Sequence, residues 1–397
     1  MDDPAIAELA QALAQREKDG LARTRRRVEG PQGPRVTIDG RTLLAFASND
    51  YLGLANDPAI VDAACAGARR YGVGSGASHL IVGHGAAHDA LERELAAFVA
   101  PCDGARALLF SSGYLANLAI LTALASRNDA IFADRLNHAC LNDGALLSRA
   151  RLHRYAHGDV AALALRIGER SGSVGARRRF IATDAVFSMD GDIAPLPGLL
   201  DLARRHDAWL VVDDAHGFGV LGGGRGSLAH FGLRSERIVY MGTLGKAAGV
   251  AGAFVAAHPT VTETLVQTAR PYIYTTAAPP LIAEALRASL ALIAGGEARR
   301  AHLAALIAAF RERAAALPWP LLPSQTPIQP LVTGDAATAV AVSEALLEQG
   351  VYVPAIRPPT VPANTARLRV SLSAAHTLSD VHALADALER AAAGAGS

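Results

Sequence analysis

The sequence predicts an α/β fold with a mostly parallel central sheet. Between about residues 107 and 256, short uninterrupted apolar runs alternate with helical patterns. Such runs are typical of strands that are covered on both faces, and strands that alternate with helices pair in parallel. The 397 residues, 51% of them hydrophobic, are enough for a large buried core. The predicted strands are Ala107–Phe110, Ala130–Ala133, Phe180–Thr183, Trp209–Val212, Ile238–Met241 and Ala253–Ala256.

An N-terminal segment, residues 1–47, precedes the large domain, for which we predict residues 48–280. Ile6, Leu9 and Leu13 recur at helical spacing and predict an amphipathic helix, which is followed by a basic stretch, Arg23–Arg27. Asp39-Gly40 lies between two short apolar runs and predicts a β-hairpin with a two-residue loop.

A smaller C-terminal α/β domain is predicted for residues 281–397, after Pro279-Pro280. It begins with an Ala/Leu-rich helical region that extends to Leu317, and a Pro-rich connector covers residues 318–330. The remaining patterns predict a helix, two strands and a helix, at Ala337–Glu348, Val351–Val353, Arg367–Leu372 and Leu378–Ala392.

The composition argues against several classes of protein. With 38 basic and 37 acidic residues the formal net charge is +1, so no overall field attracts nucleic acid or an anionic membrane. The longest charge-free run, residues 107–126, contains Ser111, Ser112 and Asn117 and is better explained as a buried strand, turn and helix than as a membrane span. The first residues show no signal-peptide pattern, and the three cysteines lack the spacing of a disulfide framework or a zinc site. We therefore expect a cytoplasmic protein without a bound metal.

Two carboxylates and a histidine follow a predicted buried strand, in the run Trp209-Leu-Val-Val-Asp213-Asp214-Ala-His216. Ligands of open α/β sheets bind at the carboxyl ends of the strands, so this is a candidate site. An acidic pair after a strand is also found in ATPases, which require a phosphate loop of the form GxxxxGK[ST]. Gly242-Thr-Leu-Gly245-Lys246-Ala247 has neither that spacing nor the final hydroxyl, and the ATPase interpretation is rejected.

Lys246 follows another predicted strand and has glycine and apolar neighbours. Burial in such surroundings favours the neutral amine, which is the form that attacks an aldehyde. A carboxylate and a lysine at the ends of two strands suit pyridoxal phosphate, since Asp213 can keep the pyridine nitrogen protonated while Lys246 binds the aldehyde. Ser111-Ser-Gly113-Tyr114 opens a helix after a strand, and Thr243 lies three residues before Lys246, so both can serve the phosphate.

Two further sequence features have both a functional and a structural interpretation. His138 follows a predicted strand and can stack on a planar ring, although a lone histidine is more often a structural residue. Gly72-Val-Gly74-Ser-Gly76-Ala77 matches the dinucleotide-binding pattern GxGxxA, but it follows a helical pattern rather than a strand. No acidic residue at the end of a strand occurs about 20 residues later, and we reject a dinucleotide site.

Taken together, these motifs resemble the α-oxoamine synthases, a family of fold-type I pyridoxal phosphate enzymes. The resemblance extends in order over nearly the whole chain, and the last two motifs are similar to those of the branch that acts in biotin synthesis. The motifs are Ser48–Leu54, Ser111–Asn117, Val186–Asp192, Val212–Gly217, Thr243–Lys246, Ile356–Pro362 and Arg367–His376.

The resemblance implies a role for each candidate residue that contacts the cofactor. Lys246 would bind the cofactor's aldehyde and later move the substrate's proton, and Asp213 would pair with the pyridine nitrogen. The remaining cofactor residues would be His138, stacked on the ring, with Ser188, His216, Gly113, Tyr114 and Thr243.

It also implies how the substrates bind. Arg357 would hold the carboxylate of the amino acid, whereas Thr360 and Arg23 occupy positions that the family associates with the acyl substrate. The implied reaction is the decarboxylative condensation of L-alanine with pimeloyl-CoA or pimeloyl-acyl carrier protein. Family members are homodimers with active sites at the subunit interface. Asp184 is a departure, because the family commonly has glutamate there.

Two alternatives remain at this stage. A sibling enzyme of the same family would use glycine in place of alanine, and a substrate trial would separate the two. A non-catalytic cofactor-binding module of a regulator would require a DNA-binding segment, for which the first thirty residues are too few.

Overall fold

The computed structural model describes residues 3–19, 21–171 and 176–395. Its strands are β1 (Val28–Glu29), β2 (Arg35–Ile38), β3 (Arg41–Ala45), β4 (Arg106–Phe110), β5 (Ala130–Asp134), β6 (Arg151–Tyr155), β7 (Arg179–Asp184), β8 (Ala208–Asp213), β9 (Ile238–Thr243), β10 (Ala253–Ala257), β11 (Ile328–Gly334), β12 (Val351–Tyr352), β13 (Ala355–Ile356) and β14 (Ala366–Ser371).

The α-helices surround these strands. They are α1 (Pro4–Lys18), α2 (Pro58–Tyr71), α3 (Ala86–Val99), α4 (Gly113–Leu124), α5 (Ala139–Ser148), α6 (Val160–Ser171), α7 (Leu196–Arg205), α8 (Ser227–His230), α9 (Pro259–Thr268), α10 (Arg270–Ile273), α11 (Pro280–Ala294), α12 (Glu297–Ala314), α13 (Ala336–Glu348) and α14 (Leu378–Ala395).

A seven-stranded sheet forms the centre of the large domain, in the order β4-β10-β9-β8-β7-β5-β6. β6, β5, β7, β8 and β9 are parallel to one another, whereas β10 is antiparallel to both β4 and β9. All six predicted runs are strands of this sheet, and the predicted α/β class with a mostly parallel sheet is confirmed. β6 was not predicted, because its sequence, RLHRY, contains two arginines and a histidine and so lacks the continuous apolar run of a central strand.

Side chains that alternate along the strands pack on opposite faces of this sheet. Leu210 and Val212 of β8 belong to the core on the face that α2, α3 and α11 cover. Val211 lies between them in sequence and belongs to a second core, against α4 and α9. A central strand must therefore be apolar at every position. For this reason the strands could be predicted from continuous apolar runs in the sequence.

The carboxyl ends of the parallel strands place polar side chains along one edge of the sheet. β5 ends at Asp134, β7 at Asp184, β8 at Asp213 and β9 at Thr243. Asp184 is directly paired with Asp213 across the two neighbouring strands. α4 and α5 also begin at this edge, which is therefore the candidate location of a site.

The N-terminal and C-terminal segments share a sheet. The predicted hairpin is confirmed: β2 pairs with β3 around Asp39 and Gly40, whose φ angles of 50° and 76° suit a tight two-residue loop. β12 then adds to β3 in parallel. The predicted domain boundaries, after residues 47 and 280, remain predictions, and α11, which begins at Pro280, packs against α2 and α3 of the large domain.

The C-terminal region contains a three-stranded sheet in the order β11-β14-β13, with α12, α13 and α14 packed around it. The predicted helices and strands of this region are present. β11 begins at Ile328, inside the segment 318–330 that we interpreted as a connector. The prolines of that segment obscured the strand pattern.

α1 confirms the predicted N-terminal helix, but its apolar stripe is not packed. Ile6, Leu9 and Leu13 are 61%, 63% and 67% exposed. Within the part of the chain that the structure describes, no helix combines the length and apolar content that crossing a membrane requires.

Candidate active site

The site is centred on Asp213, at the end of β8, which is only 3% exposed. One carboxylate oxygen, Oδ2, accepts a hydrogen bond from Asn117 Nδ2 at 2.7 Å, and Oδ1 accepts one from the backbone N–H of Ala215 at 3.0 Å. The two bonds fix the direction of the carboxylate. Asp213 can therefore hold a protonated ring nitrogen in a constant position.

Lys246 lies in the turn that follows β9, next to β8 in the sheet. Burial lowers the pKa of its amine from the ordinary value, while the nearby carboxylates of Asp213 and Asp184 act in the opposite direction. A buried amine of this kind is more readily neutral than a surface lysine, as a nucleophile toward an aldehyde must be.

His216 is buried three residues beyond Asp213 and is held by Tyr51. Its Nδ1 lies 2.7 Å from the hydroxyl oxygen of Tyr51, which in turn donates to Asn49 Oδ1 at 3.1 Å. Burial, with the positive charges of Lys246 and Arg369, keeps the pKa of His216 well below its usual range. His216 is thus a neutral, oriented imidazole at this edge of the sheet.

His138 caps the N-terminus of α5 and is fixed from both sides. Its backbone N–H donates to Asp184 Oδ2 at 2.6 Å, and its Nδ1 accepts from the backbone N–H of Cys140 at 3.3 Å. Asp184, the departure from the family pattern, therefore reaches the backbone of His138 directly. Burial and the neighbouring charge of Asp213 raise the pKa of Asp184 well above its usual value.

The N-terminus of α4 forms the third side of the site. The first N–H groups of a helix have no acceptors within it and attract anions, and α4 begins at Gly113 and Tyr114. A Cβ on Gly113 would lie 2.6 Å from Thr243 Cγ2, so the absent side chain is what lets the helix approach the end of β9. Tyr114 is 42% exposed, and its hydroxyl is hydrogen-bonded to Asp143.

Ser188 is connected to the site through an arginine of the C-terminal sheet. Its carbonyl accepts from Arg369 Nε at 2.6 Å, and the guanidinium of Arg369 also contacts Asn49 Oδ1 at 3.3 Å. Arg369 lies on β14, so this contact joins the C-terminal sheet to the loop that carries Ser188.

Of the predicted substrate residues, His138 belongs to this cluster, whereas Arg357, Thr360 and Arg23 come from segments that the contacts above do not include. Arg357 directly follows β13, and its carbonyl accepts from the backbone N–H of Thr360 at 3.0 Å. Arg23 is exposed in the segment that follows α1. The structure brings together Lys246, Asp213, His216, His138 and the Gly113–Thr243 contact. The roles that the family resemblance assigns to all the candidate residues remain predictions.

Several residues of the site were not singled out from the sequence. Asn117, Tyr51, Asn49 and Arg369 are all within motifs that carried the family resemblance, but none follows a strand that could mark it as a ligand. The contacts Asn117–Asp213, Tyr51–His216 and Asn49–Arg369 join residues that are between 96 and 320 positions apart along the chain. Their place in these motifs was the one sequence signal that could have identified them as site residues. Their hydrogen bonds depend on the fold and could not be predicted.

The donor set fits pyridoxal phosphate. Its three recognisable groups, a pyridine nitrogen, an aldehyde and a phosphate, have counterparts in the Asp213 carboxylate, the Lys246 amine and the N-terminus of α4. The cradle at Gly113, which a Cβ would fill, supports the last of these.

The comparison with known proteins agrees with this geometry. Residues 41–388 match the family described as aminotransferase class I and II. The 8-amino-7-oxononanoate synthase of Aromatoleum aromaticum is 60% identical over 95% of this chain and 96% of its own. That of Nitrosomonas europaea is 61% identical over 96% and 98%.

The chain belongs to the 8-amino-7-oxononanoate synthase family. A crystal structure of the family's member from Francisella tularensis has a TM-score of 0.76 and is 33% identical, covering 89% of this chain and 98% of that one. The serine palmitoyltransferase of Sphingomonas wittichii has a TM-score of 0.90 and is 30% identical over 99% and 98%. The predicted family and the fold-type I architecture are confirmed, and the relatives do not favour the glycine-using alternative.

Proposed function

We propose that this protein catalyses the pyridoxal phosphate-dependent condensation of L-alanine with a pimeloyl thioester, giving 8-amino-7-oxononanoate, CO2 and the free thiol. This is a decarboxylating C-acyl transfer and a step of biotin biosynthesis, and we place it in the cytoplasm. The relatives at about 60% identity support the reaction class. The observation that carries the proposal is the position of Asp213 and Lys246 at the ends of two adjacent strands, β8 and β9.

Bound pyridoxal phosphate supplies an electron sink for the negative charge that develops at the amino acid's Cα. Asp213 would hold the pyridine nitrogen, since its carboxylate is fixed by Asn117 and the Ala215 N–H. The N–H groups at the start of α4 would hold the phosphate, with Thr243 beside them.

Lys246 has two tasks in this proposal. Its amine, with a pKa lowered by burial, would hold the aldehyde of the cofactor and would be the base that removes the proton from Cα of alanine. The same amine would return a proton to Cα of the product. Arginine cannot replace it, because a guanidinium stays protonated at any working pH.

The imidazoles orient the cofactor and the substrate. His216 is neutral and held by Tyr51, so it would form a hydrogen bond on the side of the cofactor's ring oxygen without adding charge. His138, fixed at the start of α5, would stack on the ring. Ser188 would contact the cofactor from the loop that Arg369 anchors.

Arg357 would pair with the carboxylate of alanine, for which a planar guanidinium is suited. Arg357 directly follows β13, in which Ile356 pairs with Arg367. Arg367 in turn contacts the loop that carries Ser188, and this proximity to a proposed cofactor residue supports the role of Arg357. Thr360 and Arg23 would contact the acyl substrate.

We also propose that the protein is a homodimer. The segment 73–82 and the neighbouring Tyr274 expose large apolar side chains, with Val73 78%, Ile81 72%, Val82 77% and Tyr274 70% exposed. Side chains of this kind are commonly covered in an assembly. Thr275 and Thr276 directly follow and would then face the second subunit.

The experiment is a substrate trial with the purified protein. L-alanine and glycine are each combined with pimeloyl-CoA and with pimeloyl-acyl carrier protein, and the product is identified by mass. We expect 8-amino-7-oxononanoate from alanine only. A product from glycine alone would move the activity to a sibling enzyme, and no product with any pair would refute the proposal.

A further inference from the structure

Four polar side chains form a continuous chain of hydrogen bonds at the candidate active site. Asn117 Nδ2 lies 2.7 Å from Asp213 Oδ2 and 3.1 Å from the sulfur of Cys140. That sulfur in turn lies 2.8 Å from His138 Nδ1. The carboxylate proposed for the pyridine nitrogen and the imidazole proposed for the ring face are therefore joined through one amide and one thiol.

The amide of Asn117 determines the direction of the hydrogen bonds at one end of this chain. An amide nitrogen carries two hydrogens and is a donor only. One hydrogen is donated to Asp213 Oδ2 and the other to the sulfur of Cys140. The sulfur therefore accepts from Asn117, and the hydrogen of the thiol is left for another acceptor.

The thiol of Cys140 donates that hydrogen to His138. Cys140 is buried, and burial together with the neighbouring charge of Asp213 raises the pKa of the thiol to about 12, so the sulfur keeps its proton at neutral pH. Two acceptors lie near the sulfur. His138 Nδ1 is 2.8 Å away, whereas Asp213 Oδ2 is 3.9 Å away and already accepts from Asn117.

A second donor shows the same direction at His138. The backbone N–H of Cys140 also donates to His138 Nδ1, at 3.3 Å. A ring nitrogen that accepts from two donors carries no proton, so the proton of this imidazole is on Nε2. The His138 side chain is exposed, and its Nε2 has no hydrogen-bond partner among the residues that the structure describes. The Nε2–H can therefore donate to a bound ligand.

A small side chain that only fills space would not reproduce these contacts. Alanine at position 140 would leave the second N–H of Asn117, which is fully buried, without its acceptor. A buried donor without an acceptor is costly. His138 Nδ1 would keep only the longer contact with the backbone N–H. The thiol, by contrast, accepts from one neighbour and donates to the other.

We propose that Cys140 is a positioning residue of the active site. Its thiol keeps the proton of His138 on Nε2, fixes the plane of the imidazole and, through Asn117, ties that plane to the carboxylate of Asp213. The inference deepens the proposed function and rests on it, because His138 and Asp213 would both contact the bound cofactor. In this role the thiol stays protonated and does not act as a nucleophile.

The first test observes the thiol in the apoprotein by infrared spectroscopy. The S–H stretching band moves to lower frequency when the thiol donates a hydrogen bond. The Cys140 band is obtained as the difference between the spectra of the wild type and Cys140→Ala. We expect this band to move to higher frequency in His138→Ala, which lacks the acceptor. The band of Cys65, an exposed cysteine, is the control and should stay in place. A Cys140 band that does not respond to His138→Ala would overturn the inference.

The second test compares Cys140→Ala with Cys140→Ser in an absorbance titration of the apoprotein with pyridoxal phosphate. The two side chains are similar in size, but only serine can both donate and accept. We expect Cys140→Ala to lose about 2- to 10-fold in affinity and Cys140→Ser to recover most of that loss. Packing alone would leave the two variants equal, and equal affinities would contradict the inference. Cys102→Ala, at a second buried cysteine, is the matched control and should bind like the wild type.

The outcomes separate this inference from the proposed function, because the infrared band depends neither on the cofactor nor on alanine. If the wild type binds pyridoxal phosphate and converts alanine while the Cys140 band ignores His138→Ala, the inference is wrong and the proposed function stands. If the band moves as expected but the wild type binds no pyridoxal phosphate, the proposed function fails, and the role of Cys140 toward the cofactor fails with it.

Discussion

Asn117 Nδ2 donates to Asp213 Oδ2 at 2.7 Å and so ties the helix at the phosphate end of the site to the carboxylate at the pyridine end. Asn117 is fully buried in the middle of α4, and its Oδ1 has no hydrogen-bond partner among the described residues. A buried amide with one unsatisfied atom is costly. We infer that the direction of the Asp213 carboxylate is what this residue provides.

Asn117→Ala should weaken cofactor binding. The variant removes a hydrogen bond to a charged group, worth about 1.5–3 kcal/mol, which corresponds to a loss of about 10- to 100-fold in affinity. The dissociation constant for pyridoxal phosphate would be measured by absorbance titration of the apoprotein. Asn128→Ala, at an exposed position, is the matched control. Equal affinity of the wild type and Asn117→Ala would contradict this account.

Gly113→Ala should also weaken cofactor binding, for a steric reason. The new Cβ would lie 2.6 Å from Thr243 Cγ2, so the start of α4 must move away from the end of β9. Thr243→Ser removes that methyl group and keeps the hydroxyl. We expect a loss of about tenfold or more for the single variant and a substantial recovery in the double variant Gly113→Ala/Thr243→Ser, measured in the same titration. Failure of the second change to restore affinity would show that the contact is not the cause.

The sequence was sufficient to predict the central sheet and the residues at its carboxyl edge. Continuous apolar runs identify buried strands because both faces are covered, and the residues that follow such a strand must lie at that edge. Asp213, Lys246 and Gly113 were found in this way. Edge strand β6 and the proline-containing β11 lack that pattern, and neither was predicted.

The polar contacts behind the site could not be predicted. Arg369 contacts a carbonyl 181 residues away, and Tyr51 contacts His216 across 165 residues. Neither local periodicity nor spacing specifies which distant elements meet. The sequence identified Arg369 only as a member of a motif. That Arg369 connects the C-terminal sheet to the Ser188 loop is visible only in the folded structure.

His157 should make the stability of the protein dependent on alkaline pH. Its Nδ1 lies 3.1 Å from Asp134 Oδ1 and its Nε2 2.9 Å from Asp192 Oδ2, and these hydrogen bonds raise its pKa to about 10. A histidine in the unfolded chain has the ordinary value of 6.5. The charged form is therefore stabilised by folding, and the contribution is complete below pH 6.5 and is lost as the pH rises through about 10.

Urea denaturation between pH 6 and pH 10.5 tests this expectation. The free energy of unfolding of the wild type should fall over that range more steeply than that of His157→Gln. His230→Gln serves as the control, because His230 is exposed at the end of α8. The same pH slope in the wild type and His157→Gln would show that His157 does not gain its proton from folding.

Tyr240→Phe should destabilise the fold without a direct effect on the chemistry. The Tyr240 hydroxyl donates to Asp214 Oδ2 at 2.9 Å, and burial raises the pKa of Asp214 to about 7. Removing this donor leaves a buried carboxyl group with one hydrogen bond fewer, which costs about 1–3 kcal/mol of unfolding free energy. Thermal denaturation would show a lower Tm, whereas Tyr71→Phe, at a tyrosine that is only half-buried, should leave Tm unchanged. An unchanged Tm for Tyr240→Phe would contradict the prediction.

The central claim is that Lys246 binds pyridoxal phosphate and that Asp213 holds its ring for reaction with alanine. The visible absorption spectrum of the purified protein tests this claim most directly. The account predicts a cofactor band that shifts on addition of L-alanine and is followed by thiol release when pimeloyl-CoA is added. Lys246→Ala should lose both the lysine-bound band and the turnover. A protein that stays colourless after reconstitution with pyridoxal phosphate, or a Lys246→Ala variant with full turnover, would contradict the account.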